Sequence, residues 1–212
     1  MRKLASLLLV SLLIINITQF TVFASISVGV KESDWIQYNV TYTGTPPEGH
    51  GVTWAKMEGF KVQGAVITVR IISKLSNQQQ ENRTMELNLA TGHLVDAFII
   101  PAGLETGETF LDENKGLVTI NGTILRTVAR RERTVVYVTT PETTTYWDRE
   151  TGVAVEGFAT FTNFTMITKT EETNMWDHTA AIQDRVICHT LLGIALAVSL
   201  GVLAFVVLRG RK

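Results

Sequence analysis

The sequence predicts an all-β domain followed by one membrane helix. The domain is expected to be an antiparallel meander of about ten short strands, closed as a barrel or half-barrel or folded as a sandwich. Three observations carry that prediction. Apolar and polar residues alternate with period two in segment after segment. Three turns of one type, each running from Asp or Asn to a glycine four residues on, punctuate those segments. Before Asp177 no long stretch shows the 3.6-residue period of an amphipathic helix.

The termini set the topology. Arg2 and Lys3 precede the apolar run from Leu4 to Ile15, and Val22-Phe23-Ala24 offers small residues to a signal peptidase. Residues 1–24 are therefore read as a signal peptide cleaved after Ala24, with an uncleaved anchor as the alternative. Leu191 to Leu208 holds eighteen residues without a charge or a proline. At about 1.5 Å per residue it reaches roughly 27 Å, close to the hydrocarbon thickness of a bilayer. The basic tail 209–212, RGRK, stays on the cytoplasmic side by the positive-inside rule. This leaves an extracytoplasmic domain at 25–176 and a juxtamembrane linker at 177–190, on a single-pass type I protein of the cell membrane. Trp176 is expected near the headgroups, and Asp177 can cap a helix leading into the span.

Composition narrows the class. Removing Arg2, Lys3, Arg209, Arg211 and Lys212 from the 19 basic residues leaves 14 against 20 acidic ones, so the outer domain carries about −6. Such a balance has no nucleic-acid footprint. The one cysteine, Cys188, lies beside the membrane, which excludes a disulfide scaffold and cysteine-based metal coordination outside.

Within the domain, Trp35 to Tyr42 places Ile36, Tyr38, Val40 and Tyr42 on one face and Gln37, Asn39 and Thr41 on the other, as a half-buried strand does. The Gly/Pro stretch 44–51 is a loop. Val52 to Phe60 and Ala65 to Leu75 are the next strands, turning near Gln63-Gly64, and 76–81 is a polar turn. Arg83, Met85, Leu87 and Leu89 alternate against Thr84, Glu86 and Asn88. The recurrent turns are 88–92, 112–116 and 148–152, where an Asx side chain caps the bend and the glycine takes positive φ. Val95 to Ile100 is read as a strand ending at Pro101. Asn121-Gly122, between 117–120 and 123–126, is the strongest hairpin signal. Val135–Thr140, Thr143–Trp147, Val153–Phe158 and Phe161–Thr170 complete the strands, and 170–177 is a brief acidic linker.

No catalytic constellation emerges, and no catalytic residue, cofactor site or metal site is assigned. His50, His93, His178 and His189 are scattered without metal-site spacing, and His50 and His93 are expected to be solvent-exposed. Asp112-Glu113-Asn114 lacks the alternating ligands of a calcium loop and is read as a solvated turn. Arg126, Arg130, Arg131 and Arg133 form either a basic patch for acidic glycans or phosphate or, by preference, a charged edge strand that resists pairing. Four sequons lie outside, at Asn39, Asn82, Asn121 and Asn163. The first, second and fourth oppose apolar neighbours and the third sits at a turn tip, so all four are candidate glycosylation sites. Gly193, Ala197 and Gly201 recur every four residues in the span and form a candidate helix–helix contact for a homodimer.

GVKESDWIQY (29–38), DAFIIPAGL (96–104) and TYWDRETGVAVEGF (145–158), with the terminal span, resemble an uncharacterised family of envelope proteins from archaeal genomes. These bear signal peptides and are anchored at the C-terminus by a membrane helix. The resemblance covers most of the mature chain and rests on strand-and-turn signatures. Members tend to have Gly-Asp where this chain has Ser33-Asp34. It implies an all-β architecture and a surface location, and it carries no activity or functional residues. WDRETG (147–152) also resembles a hairpin of the curved half-barrel lipoprotein carriers that hold acyl chains, over that one hairpin.

The first functional expectation is a non-enzymatic envelope module that binds protein or glycan. The alternative is a barrel or half-barrel carrier of a hydrophobic ligand such as a lipid. An apolar interior with an opening would favour the carrier. Aliphatic and aromatic residues are plentiful and interior glycines are not in excess, so a packed interior with function at the outer surface is expected.

Overall fold

The computed structural model describes residues 26–46 and 51–177. The signal peptide with its Ala24 site, the loop residue His50, the linker beyond Asp177, the span with Gly193, Ala197 and Gly201, and the basic tail lie outside the described residues.

The alternation in the sequence becomes eleven antiparallel strands. They are β1 (Trp35–Gly44), β2 (Val52–Gln63), β3 (Val66–Leu75), β4 (Gln80–Asn88), β5 (Thr109–Asp112), β6 (Gly116–Thr119), β7 (Gly122–Val128), β8 (Arg131–Thr139), β9 (Thr143–Asp148), β10 (Ala154–Thr160) and β11 (Phe164–Thr173). Nine form one sheet in the order β4-β3-β2-β1-β11-β10-β9-β8-β7, and β5 pairs only with β6. The first and last strands of the domain thus meet at the centre, and a meander runs outward on each side. The sheet is open, with β4 and β7 at its edges.

Asn174 seals the central seam: its Oδ1 accepts from the Trp35 amide at 2.8 Å and its Nδ2 donates to the Ser33 carbonyl at 2.8 Å. β11 therefore runs on to Thr173, and a 3₁₀ turn follows at Met175–Asp177, where an acidic linker was expected. Trp176, expected near the headgroups, is instead buried in the domain at 8% exposure, beneath the Arg133 guanidinium.

Parity fixes the faces. Ile36, Tyr38 and Val40 pair across to Met57 and Ala55 on β2 and to Thr170 and Thr168 on β11, and all of these point inward. Ile67, Val69, Met85 and Leu87 continue that face on β3 and β4, as Trp147 does on β9. It is covered by a strap, residues 89–108, and by the β5–β6 hairpin that follows it.

The strap starts where the Asn88 carboxamide accepts from the Ala90 and Thr91 amides and Gly92 takes φ +79°. It reaches β10, where Ile99 bridges Val153. Between β4 and β10 lie five strand spacings of about 4.8 Å, roughly 24 Å along the sheet. The strap spends residues 89–92 and 95–98 in turns, so its reach is well short of an extended chain's.

Two sequence expectations fail here. Val95 to Ile100 is not a strand: Val95, Asp96 and Ala97 have φ of 45°, 60° and 53°, a left-handed turn that no ladder accepts. Asn121-Gly122 is not a hairpin tip either, because β6 pairs with β5 while β7 pairs with β8. Ile120 is pulled into the core, its amide donating to the Glu108 carbonyl at 2.9 Å, and the chain passes there from one sheet to the other. Asn121 Oδ1 accepts from the Thr139 amide at 2.7 Å, so the residue closes a junction between sheets.

Candidate functional site

The strap does not fill the inner face evenly. Beneath the hairpin the core is packed: Phe110 meets Trp147 edge-on at 6.0 Å between centroids, and the Trp147 Nε1–H donates to the Ala97 carbonyl at 2.7 Å. Toward the other end of the strands two open troughs remain, of about 490 Å³ and about 380 Å³. Both fall within the ~300–1,000 Å³ range of small-molecule sites. The expected packed interior is therefore found under the hairpin and not along the rest of the sheet.

Side-chain size explains the space. The first trough is walled by Val40, Val52, Ala55, Ile71, Leu75 and Met85, with Ser73 among them. The second is lined by Thr143, Thr145, Ala154, Gly157 and Ala159, the small inward residues of β9 and β10. A Cβ added at Gly157 would meet nothing nearer than the Thr168 Cβ at 4.0 Å. Small residues at alternate positions were present in TTTYWD and AVEGFAT, and that pattern is the signal that reading for large apolar faces passed over.

Five residues belong to both troughs: Tyr38, Met166 and Thr168 from the central strands, and Asp96 and Phe98 from the strap. Tyr38 is 4% exposed, and its hydroxyl donates to the Ala154 carbonyl at 2.7 Å. Burial pushes its phenol far above the ordinary value, so it stays neutral and forms an uncharged floor. Tyr42, farther along β1, is raised by burial as well, and its hydroxyl donates to the Val52 carbonyl at 2.9 Å.

Asp96 and Phe98 owe their place to the left-handed turn. Asp tolerates that conformation, but Val95 is β-branched and pays about 1–2 kcal/mol for it. Bonds on its far side hold it: Ala97 accepts from Trp147, and the Phe98 carbonyl accepts from the Ala154 amide at 2.9 Å.

Charges are arranged around this apolar interior. Register turns Glu81 and Arg83 inward at the β4 edge, opposite Ser73 and Ile71, and they pair with each other at 3.3 Å. Glu156 is buried and held by Arg126 at 2.6 Å and Lys169 at 3.0 Å, while Arg126 also lies over the Tyr146 ring at 4.3 Å. Arg133 is taken up by Asp148 and Glu150. The arginines of residues 126–133 thus do not form one patch: two are committed to buried carboxylates, and Arg130 sits in the β7–β8 turn.

The remaining sequence candidates are spread over the surface. Asn39, Asn82, Asn121 and Asn163 are all exposed, with Asn163 in the β10–β11 turn, just ahead of the strand expected to hold it. His93 is exposed and pairs with Glu113 at 2.6 Å. Asp112 is buried rather than solvated, and its Oδ1 accepts from the Asn114 and Lys115 amides, as an Asx turn requires. Among the described residues no three of His, Cys, Asp and Glu converge as metal ligands.

Fold and site together define an all-β protein with an open nine-stranded antiparallel sheet, covered across its inner face by a strap and a two-stranded hairpin. Compared with known proteins, the chain matches no protein-family model and no curated sequence.

Proposed function

We propose that this protein carries or receives a hydrophobic ligand, such as a lipid, in the space between sheet and strap. The observation behind this reading is the pair of troughs with a common apolar wall at Tyr38, Phe98 and Met166. Apolar walls with a few convergent polar groups are what small-molecule sites have in common. The reading includes a cleaved signal peptide, a single membrane span at Leu191 to Leu208 and a domain on the extracytoplasmic side, where a lipid surface lies within reach. No residue is assigned to catalysis, so the proposed role is binding.

The test is to purify residues 25–185 and extract them for mass spectrometry. A stoichiometric apolar molecule, or uptake of an added fatty acid that Ala55→Trp combined with Ala159→Trp abolishes, supports the reading. A domain that arrives empty and takes up neither fatty acid nor lipid overturns it.

A second reading has its own observation. Leu117 and Leu125 are 73% and 65% exposed, and Leu117 pairs across the hairpin with the exposed Leu111. Exposed leucines of this kind suit a protein or glycan partner at the outer surface of the envelope. Leu117→Ser with Leu125→Ser should then abolish partner capture from envelope extracts while leaving lipid uptake intact.

A further inference from the structure

Two troughs that share one wall restrict the shape of what fills them. Resting on the carrier reading, we propose that the ligand is a forked, two-chain amphiphile, with one apolar chain in each trough. Its head group is zwitterionic, the cationic centre meeting Asp96 and the anionic centre meeting Lys115.

The fork follows from the divider. Asp96 and Phe98 of the strap line both troughs above a floor shared at Tyr38, Met166 and Thr168, so the strap crosses where the two troughs meet. Two chains joined at a head can straddle it. The head belongs at the junction, and Asp96 is the one charged residue common to both troughs.

The charge assignment follows from which groups are already committed. Glu81 and Arg83 neutralise each other, and Glu156 is held by Arg126 and Lys169. Among the described residues the Asp96 carboxylate and the Lys115 ammonium make no ion pair or side-chain hydrogen bond, with each other or with anything else. Both are exposed and both line the second trough. The rim thus offers one unpaired charge of each sign, which a head carrying both charges complements. The strained turn at 95–97 is what holds the Asp96 carboxylate there.

The experiment uses the full chain in phosphatidylglycerol vesicles doped with a photoactivatable phosphatidylethanolamine that bears a diazirine on one of its two chains. Irradiation and peptide mapping read which trough is labelled. Ser73→Trp plugs only the first trough and Ala159→Trp only the second. Each plug is expected to suppress labelling in both troughs, because the chains are joined. Labelling of the open trough at the wild-type level would mean independent single chains and would overturn the fork. A phosphatidylglycerol probe, which lacks the ammonium, should label about tenfold less, and Asp96→Asn should erase that preference. Equal labelling by both probes in the wild type overturns the head-group assignment. No label in either trough from any probe overturns the carrier reading itself, a different outcome from independent labelling. Near-UV circular dichroism checks each variant, and Ser73→Leu replaces Ser73→Trp if the larger plug unfolds the domain.

Discussion

Arg133 grips Asp148 with two nitrogens: Nε donates to Oδ2 at 2.7 Å and Nη2 to Oδ1 at 3.2 Å. Asp148 is 0% exposed, and the same Oδ1 accepts from the Thr151 amide and hydroxyl, each at 2.9 Å. The opposite side of the guanidinium lies over Trp176 at 4.6 Å. One buried carboxylate therefore ties together the β9–β10 turn, strand β8 and the C-terminal end of the domain. Burial alone would lower the Arg133 pKa, but the hydrogen bonds and charges of Asp148 and Glu150 outweigh it and raise it. A raised pKa means Arg133 keeps its charge, and its side of the pair, through the neutral and alkaline range up to the ordinary arginine value.

Removing Arg133 leaves Asp148 charged and buried. Arg133→Ala is expected to cost about 3–5 kcal/mol, the range for breaking a buried pair from one side. Urea midpoints at pH 7 check this. A loss below about 1 kcal/mol would place the pair with ordinary surface bridges.

The β7–β8 hairpin turns through Ala129 and Arg130, with φ of 45° and 67°. Two left-handed residues in a two-residue loop favour Asn-Gly, and neither is present here. Replacing Ala129-Arg130 by Asn-Gly is expected to stabilise the domain by about 1–2 kcal/mol. For a domain of this size the melting temperature should rise by roughly 2–4 °C per kcal/mol. An unchanged or lower melting temperature would show that Arg130 makes up for the strain.

Much of the fold was legible because two-residue parity is a steric property of extended chain. Ile36, Tyr38 and Val40 face inward as their alternation requires, and all three Asx-to-glycine turns form, at Gly92, Gly116 and Gly152. Val95 to Ile100 misled because an apolar run records burial without recording conformation. Ile99 and Ile100 are buried, but the backbone ahead of them is wound left-handed by bonds to Trp147 and Ala154, fifty or more residues away along the chain. Asn121-Gly122 misled for a similar reason, since local turn chemistry could not reveal that Ile120 would be drawn into a core built by other strands. The candidate site went unread because a trough is made by what is missing at Gly157, Ala159, Thr143 and Thr145.

Side-chain engagement separates the four sequons. Asn39 and Asn82 lie on the outer sheet face and Asn163 in a turn, whereas the Asn121 side chain is engaged with Thr139. In a host that glycosylates, glycan is expected on Asn39, Asn82 and Asn163 in preference to Asn121. Glycopeptide mapping reads the occupancies directly, and preferential occupancy of Asn121 would contradict the ordering.

Glu58 supplies a pH dependence. Hydrogen bonds from Lys56 and then Arg70, with their charges, hold its carboxyl below the usual glutamate value. A depressed pKa contributes stability that is present above the ordinary glutamate value of about 4.3 and is lost as pH falls through the folded-state value. The site is solvent-screened, so the contribution should stay below about 1 kcal/mol. Glu58→Gln is expected to narrow the gap between urea midpoints at pH 6 and pH 3, and added salt should shrink the difference between variant and wild type. Parallel pH profiles for the two proteins would remove Glu58 from the acid response.

Gly157 should show stability and binding moving in opposite directions. It lies in β10 at ordinary negative φ, its neighbours leave room for a side chain, and it faces the second trough. Glycine inside a strand weakens it, because it forfeits backbone entropy and packs nothing. Gly157→Val supplies a β-branched side chain suited to a strand and puts its methyls into space that is empty without ligand. The unliganded domain is expected to gain about 1 kcal/mol and to lose uptake of apolar ligand by the second trough. Uptake by the first trough falls with it if the ligand is forked, and persists if it is not. Melting temperature and ligand uptake on the same preparation supply both readings. A variant that is stabilised and still takes up ligand at the wild-type level would show that the second trough is not part of the binding site.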